Sequence, residues 1–357
     1  MKDRIKRLRD RFQDFEIDSL LVFSQVNIRY LSGFTGSSGI LLISPQRCFL
    51  VTDFRYKQQG SLQALDCEII IAQDGLIRAL GKLPIDSFGK RMGFESEYTS
   101  FKQYTELKES LPSVSLIPVQ NLVEDLSVIK EDGEIRCIKR AAEISDRVFE
   151  EAVAFIKPGV TERDVAAEID YAIRRAGGEK ASFDTIVASG PRSSMPHATT
   201  SDRVIQEGDL VVLDFGARYE GYASDLSRTL VVGTPTERQG QLYKIVQKAQ
   251  ETAIQEAREG ITCSQLDGVA RRIIEDAGHG ADFGHPLGHG VGLNVHDPPR
   301  VSWRDGVVLK AGMVITIEPG IYIPDWGGIR IEDVIVIRED GCENLTTAKK
   351  GLTPGAL

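Results

Sequence analysis

The 357-residue sequence has no long apolar run, no Lys/Arg-rich segment and no pair of cysteines at CxxC spacing. Because a membrane-spanning helix needs about 20 apolar residues, no such helix is expected. A net charge of −9 argues against a surface that follows nucleic-acid phosphates. Residues 1–8 are charged and no apolar stretch follows them, so they are not expected to form a secretory signal. These absences predict a protein that works neither on nucleic acid nor in a membrane.

The five cysteines are odd in number and widely spaced, at Cys48, Cys67, Cys137, Cys263 and Cys342. This pattern is typical of reduced packing residues in a cytoplasmic protein. None of them is adjacent to a histidine in the sequence, so a cysteine nucleophile has little support. The apolar share of 41% is sufficient for hydrophobic cores, and the chain length predicts two domains.

Histidine is scarce, but it is clustered. Four of the five histidines lie within residues 279–296, at His279, His285, His289 and His296. Since histidine binds metals and transfers protons near neutral pH, the cluster predicts a functional site. The alternative is that these are ordinary loop or core residues. His279 follows Ala277-Gly278, where a helix is expected to end, and is predicted to be a surface residue without a role in the site.

The first third of the chain alternates between helical and strand patterns. A charged amphipathic pattern predicts a helix over residues 2–15, and apolar runs predict strands at 20–23, 39–43 and 67–72. A long helix is then predicted from Ile135 to Ile156, stopped by Pro158-Gly159. We therefore expect one domain over residues 1–125 and a second over residues 126–357.

The second domain contains a repeat of roughly 100 residues. Thr161 and Thr262 each begin a predicted helix, with Asp164 and Gln265 at capping-box spacing. Each helix is followed by a loop with histidine and by an apolar strand, at 207–216 and 311–320, that carries one carboxylate before a glycine. Two copies of one unit predict a pseudo-twofold α/β domain with a site where the copies meet.

Four carboxylates mark the strands of this repeat. Asp214 and Glu318 end the two apolar strands, and Asp225 and Glu332 follow them eleven and fourteen residues later. Hairpins of this length would bring the two carboxylates of each repeat together, and the pseudo-twofold symmetry would gather all four carboxylates at one place. Each acid could instead be a salt-bridged strand residue. A buried cluster of four anions would require neutralisation, which two divalent cations could provide.

His289 is the natural fifth ligand for such a cluster. Pro286, Gly288 and Gly290 are poor helix residues and disfavour a helix like that of the HExxH zinc proteases, so a loop or short strand is expected here. One imidazole and four carboxylates form an oxygen-rich donor set. This set favours Mn²⁺ or Co²⁺, with Zn²⁺ or Fe²⁺ as alternatives.

These motifs resemble those of the pita-bread metallopeptidases of family M24, which include methionine aminopeptidase, aminopeptidase P, prolidase and creatinase. The similar segments are 213–216, 224–229, 288–292, 295–297, 317–322 and 328–333. Residues 27–34 and 51–56 are similar to the N-terminal domain of creatinases, prolidases and aminopeptidases P, which methionine aminopeptidases lack. The resemblance implies an α/β (α+β) fold, with a creatinase-like α/β domain and a pita-bread pseudo-twofold domain around a central antiparallel sheet.

The resemblance also implies roles for the metal ligands. Asp214 would bind one metal ion, His289 and Glu318 the other, and Asp225 and Glu332 would bridge them. A bridging water or hydroxide would attack the scissile carbonyl, and Glu318 would accept its proton.

The remaining site residues follow from the same resemblance. His197 and His296 would be catalytic, with His296 stabilising the tetrahedral intermediate. His285, Arg330 and Tyr322 would bind substrate. His197 could instead be a loop histidine, and Arg330 could serve as a salt-bridge partner of Glu332.

The function implied by the resemblance is a dinuclear metal-dependent exopeptidase that cleaves the Xaa-Pro bond at a peptide N-terminus, as aminopeptidase P does. The alternative within this class is an Xaa-Pro dipeptidase, or prolidase, restricted to dipeptides. A metal-free creatinase-like hydrolase and a non-catalytic binding scaffold are disfavoured, since all five ligand positions hold ligand-type residues. We expect peptides with proline at the second position as substrates, a cytoplasmic location and, as is usual in the family, a homodimer.

Overall fold

The computed structural model describes residues 2–84 and 88–353 of the chain. These residues fall into two compact units, Met1–Ser127 and Val128–Leu357, whereas the sequence prediction puts the boundary near residue 125. None of the helices in the described residues is both long and apolar enough to cross a lipid bilayer.

The first unit is built around a six-stranded mixed sheet. Its strands are β1 Ser19–Val22, β2 Gly39–Ile43, β3 Cys48–Thr52, β4 Glu68–Ile71, β5 Arg91–Glu95 and β6 Ser115–Val119. They are arranged in the order β4-β3-β2-β1-β5-β6, with β2 antiparallel to both of its neighbours and the other pairs parallel. Every residue of β1, β2 and β3 is buried, as expected for central strands covered on both faces.

Among the described residues, the α-helices of this unit are α1 Lys2–Asp10, α2 Gln25–Ser32, α3 Lys57–Gln63, α4 Leu76–Leu80, α5 Phe101–Ser110 and α6 Glu124–Ser127. The predicted helix over residues 2–15 is too long, because α1 ends at Asp10. The following residues form tight turns, in which the Phe12 N–H donates to the Arg9 carbonyl. These turns bury Phe12 and Ile17, which a continuous helix would not bring to the core together.

Two of the widely spaced cysteines meet in this sheet. Cys48 begins β3 and Cys67 immediately precedes β4, and these strands pair in parallel with Phe49 opposite Glu68. The two thiol sulfurs are 2.8 Å apart, and all five cysteines are free. The hydrogen bond to Cys67 and burial both raise the pKa of the Cys48 thiol, which disfavours its reactive thiolate form.

The second unit contains two helix pairs. They are α7 Asp132–Phe155 with α8 Glu162–Arg175, and α9 Glu237–Glu256 with α10 Cys263–Asp276. The long helix predicted after residue 130 is confirmed as α7, which buries Ile135, Ile138, Ala142, Phe149 and Val153 along one side. It ends shortly before Pro158, because proline disfavours a helical residue before it.

The strands of the second unit form antiparallel sheets. They are β7 Ile186–Ser189, β8 Leu210–Phe215, β9 Arg218–Tyr219, β10 Tyr222–Ala223, β11 Leu226–Val231, β12 Gly288–Gly290, β13 Asp297–Val301, β14 Val314–Ile317, β15 Gly320–Ile323, β16 Gly327–Arg330, β17 Asp333–Arg338 and β18 Gly341–Asn344. One sheet has the order β11-β8-β7 and another the order β13-β12-β14-β17-β18. The hairpins β9-β10 and β15-β16 complete the set.

The predicted repeat is visible in this unit. Thr161 and Thr262 both make capping boxes at the start of α8 and α10. Each threonine also forms an isolated β-bridge, Thr161 with Val204 and Thr262 with Val308. The helix pair α7-α8 packs on β8, and the pair α9-α10 packs on β14 and β17, so each repeat has its own hydrophobic core.

Candidate metal centre

Asp214 and Asp225 are positioned by the hairpin formed by β8 and β11. Asp214 lies near the end of the buried apolar strand β8, opposite Ser227 in the register of the pair. Asp225 precedes β11 directly, where the chain returns from the turn. The hairpin predicted from the eleven-residue spacing is therefore confirmed.

Glu318 and Glu332 occupy the corresponding place in the other repeat. Ile317 at the end of β14 is paired with Asp333 at the start of β17. Because this pair is antiparallel, the next position of the ladder places Glu318 opposite Glu332. Both strands leave the sheet at this point and continue into the hairpin β15-β16.

Ser227 and Thr229 join the two repeats beside these carboxylates. The Ser227 carbonyl accepts from the Glu332 N–H at 3.0 Å, and the Ser227 hydroxyl donates to Glu332 Oε2 at 2.6 Å. The Thr229 hydroxyl donates to the Arg330 carbonyl and accepts from the Arg330 N–H. These bonds hold β11 against residues 330–332 and bring all four carboxylates to one place.

His289 enters the site on the three-residue strand β12, as predicted for a short strand rather than a helix. Its Nδ1 donates to the Gly290 carbonyl at 3.0 Å, which leaves the Nε2 lone pair free. Nε2 lies 3.6 Å from Asp225 Oδ2 and 3.5 Å from Glu318 Oε1. Potential ligand atoms of Asp225, His289 and Glu332 all lie within 4.8 Å of one another.

Glycines beside His289 allow this close approach. A Cβ atom at Gly288 would collide with the Thr316 carbonyl, and one at Gly290 would collide with the Pro298 carbonyl. Since these carbonyls belong to the two neighbouring strand segments, β12 can sit between β13 and β14 only if these positions lack side chains.

The electrostatics of the centre are those of crowded anions. Asp225 and Glu332 are only 5% and 2% exposed. Burial, reinforced by the neighbouring carboxylates, raises the pKa of Asp225 and Glu318 well above the ordinary value and that of Glu332 to about 8. Burial lowers the pKa of His289 to about 4, so its imidazole is neutral at pH 7 and can act as a ligand.

The residues of this centre fit divalent cations. The Oδ1 atom of Asp225 is buried and has no hydrogen-bond partner among the described residues. A buried carboxylate oxygen without a partner is costly, and a cation would satisfy it. A neutral imidazole whose Nε2 atom lies near Asp225 and Glu318 completes an oxygen-rich donor set suited to ions such as Mn²⁺.

Arg330 is the cation that the centre already contains. Its guanidinium pairs with Asp214 Oδ2 at 2.5 Å and also donates to the Ser227 hydroxyl and the Pro196 carbonyl. The alternative partner considered from the sequence, Glu332, instead accepts from Ser227. The salt bridge of Arg330 is thus to Asp214, and the Ser227 hydroxyl, which accepts from Arg330 and donates to Glu332, links the guanidinium to Glu332.

His285, Tyr322 and Arg330 form one hydrogen-bonded chain. His285 Nδ1 donates to the Pro286 carbonyl, so Nε2 accepts from the Tyr322 hydroxyl at 3.0 Å. The Tyr322 oxygen in turn accepts from Arg330 at 3.0 Å. Burial lowers the pKa of His285 to about 3, which is consistent with a neutral ring that accepts this bond.

The remaining histidines divide between the site and the surface. The His296 ring lies 4.3 Å from that of His289, centroid to centroid. His197 is exposed and follows Pro196, whose carbonyl accepts from Arg330, so His197 lies near the centre. His279 pairs with Asp282 at the start of a short 3₁₀ helix, Gly280–Asp282, and contributes nothing to the site.

Sequence reasoning did not identify the residues that support these groups. Ser227 lies within a recognised motif, but its contacts across the repeats depend on the folded sheet. Asp267 and Arg271 on α10 hold the segment that carries His285. Their i,i+4 spacing was the only available signal, and it is common on surface helices.

Comparison with known proteins places the chain in a family. Residues 136–339 match the profile of metallopeptidase family M24, and residues 4–129 match that of the creatinase/prolidase N-terminal domain. The chain belongs to metallopeptidase family M24. The expected fold, with a creatinase-type first unit and a pita-bread second unit, is confirmed. The expected class of enzyme, a metallopeptidase that uses divalent metal ions, is confirmed as well.

Several M24 relatives match over nearly their whole length. An uncharacterised peptidase of Bacillus subtilis is 42% identical over 98% of this chain and 99% of its own. A protein of Pyrococcus horikoshii named Xaa-Pro dipeptidase is 40% identical, with 99% of each chain covered.

Solved structures give the same result. A Bacillus anthracis protein described as an Xaa-Pro dipeptidase has a TM-score of 0.96 at 41% identity, covering 99% of both chains. A Thermotoga maritima protein described as an X-Pro aminopeptidase has a TM-score of 0.92 at 40% identity, covering 98% of this chain and 99% of its own.

Proposed function

We propose that this M24 peptidase hydrolyses the bond between an N-terminal residue and a following proline, using two divalent cations. The observation that carries the proposal is the convergence of Asp214, Asp225, Glu318 and Glu332 with the Nε2 atom of His289. The names of the similar proteins, Xaa-Pro dipeptidase and X-Pro aminopeptidase, support the choice of proline as the second residue.

The five proposed ligands divide between the cations as the resemblance implies. Asp214 would hold one cation, His289 and Glu318 the other, and Asp225 and Glu332 would contact both. When bound, the cations would polarise the scissile carbonyl and lower the pKa of a water molecule. Of the candidate ions, Mn²⁺ is proposed ahead of Co²⁺ because the donor set is rich in carboxylate oxygen.

Glu318 is the proposed proton acceptor. Its position opposite Glu332 and its contact with His289 support this role, because its carboxylate would lie beside the water that the cations would hold. Its Oε1 atom accepts a weak bond of 3.4 Å from Thr316 and lies 3.5 Å from His289. These contacts hold the carboxylate toward the centre without neutralising it, as a general base requires.

The histidines and Arg330 are proposed to act on the substrate. His197 is exposed beside Asp214, where it could donate to the scissile group, and His296 could stabilise charge that develops on the carbonyl oxygen. The proline side of the substrate would be bound by Arg330, Tyr322 and His285. Proline lacks an N–H and has a fixed φ, so shape and carbonyl or carboxyl contacts are the features available for its recognition.

The length of the substrate is the open choice within this proposal. The similar proteins include both an Xaa-Pro dipeptidase and an X-Pro aminopeptidase, and the chemistry at the scissile bond is the same for both. A homodimer and a cytoplasmic location, expected from the family and from cysteine usage, complete the proposal.

Hydrolysis assays with defined peptides test the proposed function. We expect Mn²⁺-loaded protein to cleave Ala-Pro, Ala-Pro-Ala or both, and to leave Ala-Ala intact. Preference between the first two peptides decides between dipeptidase and aminopeptidase. Cleavage of neither proline peptide with Mn²⁺ or Co²⁺ would contradict the proposal and favour a binding scaffold.

A ligand variant tests the metal assignment separately. Asp225→Asn should lose both bound metal, measured by elemental analysis after dialysis, and hydrolysis by at least roughly 100-fold, because Asp225 is assigned to both cations. Asp202→Asn is a matched control, since Asp202 is exposed and pairs only with Arg163. Retained activity in Asp225→Asn would overturn the assignment.

A further inference from the structure

The side chain of Arg271, on helix α10, is unusually constrained for a residue outside the metal centre. Its Nε and one terminal nitrogen donate to the two oxygens of Asp267 at 2.7 and 3.0 Å. Asp267 is fully buried, one turn earlier on the same helix. This two-bond pairing fixes the plane of the guanidinium group.

The remaining donors of Arg271 hold the chain that leads into the histidine-rich strand. One terminal nitrogen donates to the Phe283 carbonyl at 2.8 Å and the other to the His285 carbonyl at 2.9 Å. Asp267 Oδ1 accepts from the Leu287 N–H at 3.1 Å. The pair therefore binds residues 283, 285 and 287, which span the approach to β12.

Two aromatic rings lie close to this guanidinium group. The Arg271 Cζ atom lies 4.3 Å from the Phe283 ring centroid and 4.4 Å from that of Trp303. Phe283 is buried, and its ring meets the His285 ring edge to face at 5.1 Å. A planar cation held by rings and hydrogen bonds is not replaceable by the ammonium group of lysine.

The imidazole of His285 links the backbone held by Arg271 to the residues of the candidate site. Its Nε2 atom accepts from Tyr322, whose oxygen accepts from Arg330, which pairs with Asp214. A displacement of the His285 backbone would therefore break or lengthen the bond to Tyr322. Arg271 touches none of the five proposed ligands. Its direct contact with the site is the bond to the His285 carbonyl, whereas Leu287, whose carbonyl accepts from the Glu318 N–H, is held by Asp267.

We propose that Arg271 is a positioning residue that sets the imidazole of His285 for substrate binding, an inference that rests on the proposed function. Its loss lets residues 283–285 move and weakens binding of the proline side of the substrate. Leu287 keeps its bond to Asp267, and Glu332 and His289 keep their bonds to Ser227 and the Gly290 carbonyl, so metal content is retained.

Steady-state kinetics with the proline peptide that the wild type cleaves give the first test. Arg271→Met should raise KM roughly tenfold or more, with a smaller change in kcat and unchanged metal content. Arg271→Lys, which keeps the charge beside Asp267, should show the same rise in KM because it cannot reach both carbonyls. Arg272→Met is the matched control, since Arg272 is exposed on the same helix. An equal fall of kcat and metal content would overturn the proposal.

A double-mutant cycle tests the route through His285. In an His285→Ala background, Arg271→Lys should have almost no further effect on KM, because the side chain that it positions is gone. Additive effects would contradict a role through His285. Restoration of KM in Arg271→Ala by added ethylguanidinium, which matches the part of the side chain that alanine lacks, would support the proposed positioning by the guanidinium group.

Nuclear magnetic resonance of the histidine rings separates this proposal from the proposed function. With five histidines in the chain, the ring signal of His285 can be assigned by its disappearance in His285→Ala. We expect Arg271→Lys to shift or broaden that signal while the His279 signal stays in place. An unchanged His285 signal would overturn the proposal whatever substrate is cleaved, and absence of peptidase activity in the wild type would contradict only the proposed function.

Discussion

Glu332 and Asp333 are consecutive and buried, but their carboxyl groups have opposite electrostatic surroundings. Glu332 faces other carboxylates, so burial and Asp214 raise its pKa to about 8. Burial acts in the same direction on Asp333, but Arg228 and Lys350 outweigh it and lower the pKa to about 2. Adjacent residues of an extended chain point to opposite sides. Asp333 therefore meets the cations Arg228 and Lys350, whereas Glu332 points toward the other carboxylates of the centre.

Glu95 is a buried carboxylate of the first unit that has no cation as a partner among the described residues. It accepts from the Phe23 and Ser24 N–H groups and from Asn27, whose amide also donates to Glu124. Burial outweighs these hydrogen bonds, and Glu124 adds repulsion, so the pKa of Glu95 is raised to about 7.

This raised pKa predicts a pH dependence for the first unit. Between about pH 4.5 and 7 the folded state keeps a proton on Glu95 that the unfolded state has released, so the free energy of unfolding falls as pH rises through this window. The full effect is about 3 kcal/mol. Urea unfolding followed by hydrogen exchange of peptides from β1 and β5, at pH 5 and pH 7.5, measures it.

The Glu95→Gln variant should lack this part of the pH dependence, because glutamine does not titrate. Glu68→Gln is the control, since Glu68 is exposed and already paired with Arg47. An identical slope in the wild type and in Glu95→Gln would contradict the prediction.

The proposed metal ligands could be selected from the sequence because their pattern is local. Asp214 and Glu318 each lie in an apolar strand before a glycine, and the repetition identified them together. The pairing of Arg330 with Asp214 could not be predicted in the same way. These residues are 116 positions apart in the sequence. Which carboxylate the guanidinium reaches depends on how β11 packs beside Arg330 in the folded protein.

At the scale of elements, the starts of the helices are the most strongly encoded features. Thr161 and Thr262 both accept from the backbone N–H three residues later, and Asp164 and Gln265 bond back to the threonine N–H. Both boxes were predicted from spacing alone, since capping contacts lie within four residues of sequence.

Removing these caps should destabilise the second unit. Thr161→Ala and Thr262→Ala should each lower its stability by about 1 kcal/mol, because a helix N-terminal N–H loses its acceptor. Thr252→Ala makes the same substitution within α9, where the hydroxyl only donates to the Lys248 carbonyl, and should have little effect. Thermal unfolding midpoints compare the three variants, and equal midpoints would exclude a capping contribution.

The ends of other elements were harder to predict. The helix predicted over residues 2–15 ends at Asp10, because the core requires Phe12 and Ile17 to turn inward. The predicted strand 311–320 is regular only over β14, and Glu318 lies beyond it. Both differences come from tertiary contacts that override a local pattern.

At the scale of the whole molecule, the metal centre belongs to neither repeat alone. Asp214 and Asp225 come from the first repeat, and His289, Glu318 and Glu332 come from the second. Ser227 and Thr229 bind the segment of Glu332 across the join. Anything that binds all five ligands therefore stabilises the contact between the two repeats.

Metal binding is accordingly predicted to stabilise the second unit selectively. Addition of Mn²⁺ to metal-free protein should slow hydrogen exchange in β8, β11, β12 and β17, because ligands that bind only the folded state stabilise it. Peptides from β1 to β6 of the first unit should exchange as before.

The Asp225→Asn variant provides the control for this experiment. Its exchange should not respond to the same Mn²⁺ concentration, since it lacks the residue assigned to both cations. Equal protection of both units, or protection that persists in the variant, would contradict selective binding at the five residues.

The two glycines that flank His289 have a consequence for how this protein tolerates mutation. Positions 288, 289 and 290 would all reject most substitutions under selection for activity, although only the middle residue is a proposed metal ligand. At Gly288 and Gly290 the loss would reflect the neighbouring carbonyls and would reduce the amount of folded protein. At His289 the protein would accumulate but remain inactive, so intolerance along three adjacent positions would have two unrelated causes.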